Sequence, residues 1–525
     1  MTVTLHLDSN SKTMKNLFLI STVVLGLTVA HGQTLDRLIF PKSDSKIFLI
    51  KEIGYDQLPV GEFASKDSGN NKLNEKIINE LGFPFFQTVI KLNQCTRNFA
   101  SDTSGPNVLF LSTNEGGFKR HGLIIKEKNK EIKYPNLNYV DLVIDEKNIS
   151  EAALSIYTHE LGHVMMANIM SDLPQGESVL QHVSMGITDY KKAFSEGWGE
   201  HFQILTALNI PQYNSYFTNK NNYSNIDLLW HSNMDEELRL NGTLQNKYIF
   251  QKLIPDNINT DTLNPEHLIL LYYTSPLFNT CKLKNAQQML SCEGMLSALF
   301  YQFNSNSVLQ NNYVDNNFYN KFLLSPMPSQ TKVQEIFTPY ENVMLKNFFV
   351  WSKIKNKIYS ENSAPIFIEF INEWCVSFPA DKEKIIELFV KSTIGKTVSD
   401  VAGNIYEKAA YYGMIGDYQN FKKLKNEYND AIDRIVKEVI NGKHSIDENI
   451  GKEIWVENKN LQVRTTLWSD ENKKNLRINL NTTSEYELAS FGKIGLQKAK
   501  EIIKVREKLG SFKSLEEAVK YGFVQ

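Results

Sequence analysis

Residues 154–166 read LSIYTHELGHVMM, and the segment His159-Glu160-Leu161-Gly162-His163 within them carries two histidines four positions apart. Apolar residues recur at helical spacing from Glu151 to Met170, and Asn148 with Glu151 has the spacing of a capping box, so we expect a helix here. Residues four apart lie on one face of a helix, and imidazole nitrogen is a good zinc ligand. The segment therefore predicts that both histidines bind one zinc ion.

Glu160 lies one step round this helix from His159. A carboxylate there can stand beside an open coordination position and take a proton from a water molecule that the metal has made more acidic. This combination of residues is typical of hydrolases that use a metal-activated water. The alternative interpretation is a structural helix with two surface histidines.

A zinc site needs at least a third protein ligand. The metzincin pattern is excluded because Met166 and Ile169 stand where that pattern requires glycine and histidine. A second helical segment, residues 193–202 (AFSEGWGEHF), places Glu196 and Glu200 four apart on one face. One of them can bind zinc while the other accepts a hydrogen bond from a ligating histidine.

The two segments together resemble those of the gluzincin metallopeptidases, the group of thermolysin-like proteases and zinc aminopeptidases. The resemblance covers roughly residues 139–205. It implies a zincin-like catalytic domain that hydrolyses peptide or protein substrates, with Zn²⁺ bound by His159, His163 and Glu196. Glu160 would be the general base, and Glu200 would support a ligating histidine. Glu200 stands where aspartate is common, so the choice of Glu196 or Glu200 as the ligand stays open.

Gluzincins also use a tyrosine or histidine to stabilise the oxyanion of the tetrahedral intermediate. Residues beyond 205 offer four candidates for this role, namely His231, Tyr272, Tyr273 and Tyr301. Glu293 precedes an apolar helical segment and is either a structural or a substrate-facing acid. His201 is expected to point away from the metal-binding face.

The N-terminus has the three parts of a secretory signal peptide. Lys12 and Lys15 precede an apolar stretch from Leu17 to Ala30, and Ala30-His31-Gly32 supplies small residues for cleavage. The alternative is a buried core helix. We expect a secreted or periplasmic protein with no transmembrane segment in the mature chain. Export would permit disulfides, and the sequence allows Cys281 to pair with Cys292 and Cys95 with Cys375.

Composition limits the function classes. The chain has 525 residues, 22% of them charged, and a net charge of −2, which excludes a globally basic nucleic-acid binder. Four cysteines in this length exclude a disulfide-dense scaffold.

The overall pattern predicts an α+β protein that is predominantly α. Five segments are expected, in chain order a signal peptide (1–32), the β-rich N-terminal part of the catalytic domain (33–150), its helical zinc-binding region (151–442), a linker (443–476) and a small all-α domain (477–525). Part of the linker segment, from Lys452 to Asn475, is alternatively a small added sheet. The β-rich part contains β-prone runs at 47–50, 108–111 and 139–144, with loops between them.

The last segment has the pattern of a helix-hairpin-helix domain. Capping-box spacing occurs at Ser484–Glu487 and Ser514–Glu517, and a tight turn is expected from Phe491 to Gly495. The segment is similar to ComEA-type competence proteins, in which a glycine-rich hairpin presents backbone N–H groups to DNA phosphates. This resemblance implies weak, non-specific, salt-sensitive DNA contact. The implied contact residues are Gly492, Lys493, Gly495 and Lys498. The alternative is a structural or protein-docking module with solvated lysines.

Three hypotheses follow. The first is a secreted zinc metallopeptidase. The second is an exported DNA- or protein-binding adaptor with an inactive HExxH domain. The third is a structural protein stabilised by zinc. Metal content and the effect of Glu160→Gln distinguish them.

Overall fold

The structure is a computed structural model of the chain. It describes residues 36–41, 46–64, 71–102, 105–127, 130–171, 176, 178, 182–218, 233–254, 258–274, 277–357, 364–457, 477–491 and 494–523. The expected signal peptide, residues 1–32, lies outside this part of the chain.

Five strands near the N-terminus form a small closed barrel in the order β1-β2-β4-β5-β3. The strands are β1 (Phe48–Asp56), β2 (Leu58–Phe63), β3 (Val108–Leu111), β4 (Phe118–Glu127) and β5 (Lys130–Leu142). The pairs β1–β2 and β4–β5 are antiparallel, whereas β3 runs parallel to both β1 and β5. The three β-prone runs of the sequence all fall in or at the end of these strands.

Alternate residues of a strand face opposite sides of the sheet. Val108 and Phe110 on β3 pack inside the barrel with Ile50, whereas Leu109 between them belongs to the main hydrophobic core. Gly61 faces the barrel interior, where a Cβ would lie 2.4 Å from Cγ2 of Ile50. The barrel is therefore filled by side chains and places one of its faces against the main core.

Two helices interrupt the region in which the sequence pattern predicted only strands and loops. They are α1 (Asn71–Leu81) and α2 (Pro84–Phe99). Their buried apolar residues recur at helical spacing, as with Phe86, Val89 and Ile90 of α2, and Pro84 occupies the first turn, where proline is well tolerated. These helices pack against the main core and so belong to the same folded unit as the helices that follow.

The region from 154 to 440 is largely helical. Its α-helices, in the part of the chain that the structure describes, are α3 (Leu154–Ile169), α4 (Tyr190–Asn209), α5 (Pro211–Thr218), α6 (Asn233–Leu244), α7 (Pro265–Thr274), α8 (Ala286–Leu290), α9 (Glu293–Asn304), α10 (Ser307–Asn311), α11 (Asn316–Asn320), α12 (Val333–Ile336), α13 (Pro339–Ile354), α14 (Ile366–Ser377), α15 (Lys382–Ser392), α16 (Val401–Met414) and α17 (Tyr418–Ile440). A short antiparallel pair, β6 (Phe250–Lys252) and β7 (Phe278–Leu283), lies among them. The expectation of an α+β fold that is predominantly α is confirmed.

The helix that carries the HExxH segment begins later than the capping pattern predicted. A 3₁₀ turn covers Asn148–Glu151, and α3 starts at Leu154 with no side-chain cap at Ala153. Asn148 is engaged elsewhere, because its Oδ1 accepts a hydrogen bond from the N–H of Asp145 at 2.9 Å. The predicted cap at Asn148 is wrong because this side chain closes the preceding turn instead.

The C-terminal unit consists of a two-stranded sheet and three helices. These are β8 (Trp455–Glu457), β9 (Arg477–Asn479), α18 (Glu485–Phe491), α19 (Leu496–Leu509) and α20 (Leu515–Lys520). β8 lies within the segment expected to be a linker or a small added sheet, and it pairs antiparallel with β9. The capping box at Ser484 is confirmed. The backbone N–H of Ser484 donates to the Glu487 carboxylate at 2.7 Å, and the backbone N–H of Glu487 donates to Oγ of Ser484 at 3.2 Å.

The core of this unit is shared with a helix outside it. Its own residues are Leu480, Leu488, Ala499, Ile502, Ile503 and Phe512, with Ile494 and Leu515 partly buried at its edge. The same core contains Leu268, Ile269 and Tyr272 of α7. The unit therefore packs its apolar side chains against α7.

Among the residues that the structure describes, none of the helices combines the length and apolar character that crossing a membrane requires.

Candidate metal centre

The two helices that carry the candidate ligands, α3 and α4, pack in direct contact. Trp198 Nε1 on α4 donates a hydrogen bond of 3.1 Å to the carbonyl oxygen of Gly162 on α3. A Cβ on Gly162 would lie 3.3 Å from Cα of Gly199. A Cβ on Gly199 would lie 2.9 Å from Nε2 of His159. The close approach of the helices, and the space for the His159 ring, therefore depend on glycine.

Gly197 has a different role from Gly199. A Cβ at position 197 would lie 2.7 Å from Cβ of Leu296 and 2.8 Å from the carbonyl oxygen of Glu293, both on α9. Gly199 therefore serves the contact between α3 and α4, and Gly197 serves the contact between α4 and α9.

His159, His163 and Glu196 converge on one point. The Nε2 atoms of the two histidines lie 3.1 Å apart. Oε2 of Glu196 lies 3.2 Å from Nε2 of His163 and 3.5 Å from Nε2 of His159. Ligand bonds of about 2.0–2.1 Å at tetrahedral angles place neighbouring donor atoms roughly 3.3 Å apart. Two imidazoles and a carboxylate with these separations fit a tetrahedral zinc ion that keeps one position open.

The charges of this cluster suit a cation. Burial works against ionisation of Glu196, but His163 and His182 outweigh it and hold the pKa of Glu196 well below its usual range. Burial likewise opposes the charge on His163, and the Glu196 and Glu160 carboxylates raise its pKa. Glu196 is therefore ionised, which is the form in which a carboxylate binds zinc.

Glu160 lies on α3 with 9% of its surface exposed, next to His159 in the chain. Its negative charge acts on His163 and also on Lys119 of β4. Burial lowers the pKa of Lys119, and the Glu160 carboxylate partly offsets that effect. Lys119 of the barrel thus faces helix α3 near Glu160.

The groups behind the two histidines are a serine and a buried acid–arginine contact. Nδ1 of His163 lies 3.2 Å from Oγ of Ser195. Nδ1 of His159 is buried and has no hydrogen-bond partner among the described residues. Glu200 is fully buried, and its Oε1 lies 3.7 Å from Nε of Arg239. The serine that precedes Glu196 therefore supports His163, while Glu200 faces an arginine on α6.

A second histidine–glutamate pair borders the cluster. Nδ1 of His182 lies 3.1 Å from Oε2 of Glu293 and 3.6 Å from Oε2 of Glu196. Burial opposes a charge on His182, but the carboxylates of Glu196 and Glu293 raise its pKa to about 9. Glu293 is fully buried, while 45% of the His182 side chain is exposed. Glu293 thus orients a half-exposed imidazole beside the site.

The sequence gives no signal for His182, because it lies between α3 and α4 in a stretch without periodic pattern. Glu293 precedes an apolar helical segment, which by itself leaves its role open. The segment before α4 meets the start of α9, where the N–H of Gly294 donates to the carbonyl oxygen of Ser184 at 2.9 Å and Ile187 pairs with Cys292. This tertiary contact brings His182 and Glu293 together.

The four candidates for the oxyanion role have different positions. His231 lies outside the described residues, and nothing is described of the Tyr273 side chain. The Tyr272 ring packs 5.5 Å from the ring of Tyr486 in the core of the C-terminal unit. Tyr301 is partly buried against the main core on α9. Tyr272 therefore serves the core of the C-terminal unit, and Tyr301 serves the main core.

His201 points away from the cluster, as its position after Glu200 suggested. Its Nδ1 donates to the carbonyl oxygen of Trp198, and its Nε2 accepts from Nδ2 of Asn304 at 3.1 Å. Burial lowers its pKa to about 3, so this imidazole is neutral. The four cysteines, which the sequence allowed to form two disulfides, are all free thiols.

The candidate DNA-contact residues are only partly described by the structure. Gly492 and Lys493 fall outside the described residues. Gly495 precedes α19 with a φ of +77°, a conformation that favours glycine. Lys498 is exposed, and its Nζ lies 3.9 Å from the Glu501 carboxylate.

Comparison with known proteins identifies one segment of the chain. Residues 473–521 match the family described as the helix-hairpin-helix motif, in agreement with the helices α18 to α20. No curated protein matches the chain. No solved structure matches it either. The C-terminal unit of this protein carries a helix-hairpin-helix motif.

Proposed function

We propose that the protein is an exported zinc metallopeptidase. The observation that carries this proposal is the convergence of His159, His163 and Glu196, with donor atoms 3.1–3.5 Å apart. Two imidazoles and one carboxylate leave a position open for water or substrate, which is typical of catalytic rather than structural zinc sites. The gluzincin resemblance of the sequence supports the same assignment.

Each residue has a definite task in this proposal. When bound, the zinc ion would polarise the carbonyl of the scissile peptide bond and lower the pKa of a water molecule. Glu160 would accept the proton of that water on its carboxylate and pass it to the leaving amine. His182, oriented by Glu293, would donate a hydrogen bond to the oxygen that becomes negative during attack. Ser195 would hold the ring of His163 in its ligating orientation.

The first experiment measures zinc and peptidase activity in the same preparations. The purified chain should hold about one zinc ion and cleave a library of quenched fluorescent peptides. Glu160→Gln should keep the metal and lose at least about a hundredfold in kcat, because only the proton acceptor is removed. His159→Gln should lose both the metal and the activity. His121→Gln, at an exposed histidine on β4, is the matched control and should change neither.

Two results would reject the proposal. A protein without zinc after reconstitution would exclude a metallopeptidase. A protein that binds zinc but melts at a lower temperature without it, and shows no cleavage that depends on Glu160, would have a structural zinc site.

A second candidate function is an exported adaptor that binds DNA or protein through its C-terminal unit, and the helix-hairpin-helix match supports it. The full chain should then bind duplex DNA weakly at low salt, with an affinity that falls steeply as salt rises. The full chain is the appropriate sample because α7 contributes to the core of this unit. Binding that ignores salt would exclude phosphate contacts, and no binding at low salt would leave only a docking role.

A further inference from the structure

The turn between α16 and α17, residues 411–418, exposes large apolar side chains that the fold does not cover. We call this segment the 411–418 tip. Tyr411, Met414, Ile415 and Tyr418 are 49%, 67%, 53% and 73% exposed. Positions 411, 414 and 415 share one face of α16, since residues three and four apart are neighbours on a helix. Tyr418 follows directly after the turn, so the four side chains form one patch.

The backbone of the tip is well ordered by its own contacts. Gly416 adopts a φ of +79°, and the Asp417 side chain caps α17 by accepting a hydrogen bond from the N–H of Asn420. Inside the hairpin, a Cβ on Gly413 would lie 3.2 Å from the ring of Phe421, so the two helices are packed closely there. The exposed residues are therefore additional to the side chains that hold the hairpin together.

Exposed lysines flank this patch. Lys408 on α16 and Lys422, Lys423 and Lys425 on α17 are all exposed. Between positions 408 and 425 the only acidic residue is Asp417, whose carboxylate is directed to the N-terminus of α17.

Two acidic residues border this span. Glu427 lies 3.9 Å from Nζ of Lys423, and Glu407 accepts a hydrogen bond of 2.7 Å from the N–H of Leu283. Among the described residues no ion pair involves Lys408, Lys422 or Lys425, so these three lysines place positive charge behind the apolar end of the tip.

We propose that the 411–418 tip docks on a lipid surface that contains anionic headgroups. Tyrosine side chains have an apolar ring and a polar hydroxyl, which suits the boundary between headgroups and acyl chains. Each lysine near an anionic membrane adds about 1 kcal/mol of attraction. The tip is a convex turn at the end of two helices, a shape that enters a fluid interface without needing a matching groove. It lies on the surface and does not span the membrane.

The experiment is sedimentation of the full-length mature chain with vesicles at low salt. One set of vesicles contains phosphatidylcholine and phosphatidylglycerol in equal parts, and the other contains phosphatidylcholine alone. The chain should sediment with the anionic vesicles, and its partition coefficient should fall as salt rises. The triple variant Met414→Ser, Ile415→Ser, Tyr418→Ser should lower that coefficient roughly tenfold or more.

A matched control distinguishes binding through this patch from non-specific adsorption through any exposed apolar side chain. Val376 on α14 is 73% exposed, as is Tyr418, but lies outside the tip. Val376→Ser should leave vesicle binding unchanged. The variant Lys422→Gln, Lys423→Gln, Lys425→Gln should lower binding to anionic vesicles only. Circular dichroism should show unchanged melting for all variants, and Tyr418→Ser alone replaces the triple variant if that one unfolds.

Three results would overturn the proposal. The wild-type chain could remain in the supernatant with anionic vesicles. The apolar variants could bind as tightly as the wild type. Sedimentation velocity without lipid could show a wild-type dimer that the apolar triple variant converts to a monomer, which would assign the tip to a second copy of the chain.

Discussion

Gly199 keeps open the space that the His159 ring occupies. A Cβ at this position would lie 2.9–3.0 Å from three atoms of the imidazole, closer than side-chain atoms normally approach. Nε2, the atom that faces His163 and Glu196, is among them. The ring cannot turn away freely because it is buried between α3 and α4.

We therefore predict that Gly199→Ala lowers zinc affinity. The added methyl group displaces the His159 ring from the position in which Nε2 meets the other donors, and a loss of roughly tenfold to a hundredfold is expected. Competition titration against a chromophoric chelator measures it. Gly403→Ala on α16 is the control, because a Cβ there meets the flexible side chain of Lys396 first. Unchanged affinity in Gly199→Ala would show that His159 does not bind the metal through Nε2.

The sequence alone predicts those site residues whose relative positions follow from a single helix. His159 and His163 are four apart on one helix, so their common face follows from helix geometry alone. Glu196 lies on another helix, and its position as the third donor came from a family resemblance. Ser195 and His182 gave no signal, because their contacts with His163 and Glu196 depend on how α4 and the segment before it pack.

At the scale of elements, the start of α4 is held by both the loop before it and the chain that leads to β8. Asp189 caps α4 by accepting hydrogen bonds from the N–H groups of Lys191 and Lys192. Glu453, just before β8, lies beside this cap. Burial and the Asp189 carboxylate raise the pKa of Glu453 to about 7. Two acidic groups therefore meet where the C-terminal chain contacts the helix that carries Glu196.

This pair predicts a pH dependence of stability. The ordinary pKa of a glutamate is 4.5 and that of folded Glu453 is about 7, so the native state binds more protons than the unfolded state between these values. The free energy of unfolding should therefore fall as pH rises from 4.5 to 7. Ionisation of Glu453 should lower the free energy of unfolding by at most about 3 kcal/mol, and by less once solvent screening is included.

Glu453→Gln should remove this dependence, because the amide cannot ionise. Urea unfolding at pH 8 should show a more stable variant, and unfolding near pH 4 should show almost no difference. Glu75→Gln, at an exposed position of α1, is the control. Equal stabilisation at both pH values would show that the gain does not come from ionisation of Glu453.

Elements with a strong local pattern were predictable and those with conflicting signals were not. The strand β3 and the capping box at Ser484 were read directly from the sequence and are present. The helices α1 and α2 lie among β-prone runs and turn residues, which obscured their helical spacing. Asn148 has the right spacing for a cap, but its side chain bonds instead to backbone groups of the preceding turn, the N–H of Asp145 and the carbonyl oxygen of Val143.

At the scale of the whole molecule, the helix-hairpin-helix unit is tied to the helical region. Asn285 Nδ2 and Gln288 Nε2, at α8, donate to the backbone carbonyls of Asn481 and Thr482 at 3.1 and 3.0 Å. Leu268, Ile269 and Tyr272 of α7 complete its core. A unit of about fifty residues buries little apolar surface by itself. The added helix supplies the surface that the sequence pattern of the unit alone could not reveal.

The sharing of this core predicts that a substitution in α7 destabilises α19. Ile269 is 1% exposed and packs in the same cluster as Ile502 and Ile503 of α19. Ile269→Ala leaves a cavity there, so the opening free energy of α19 should fall by about 2–5 kcal/mol. Native-state hydrogen exchange at the α19 amides measures this change. Ile156→Ala on α3, where the side chain is 40% exposed, is the control and should leave α19 exchange unchanged. If α19 exchanged at the wild-type rate in Ile269→Ala, the C-terminal unit would be stable without α7, and an independent domain joined only by its linker would be the better description.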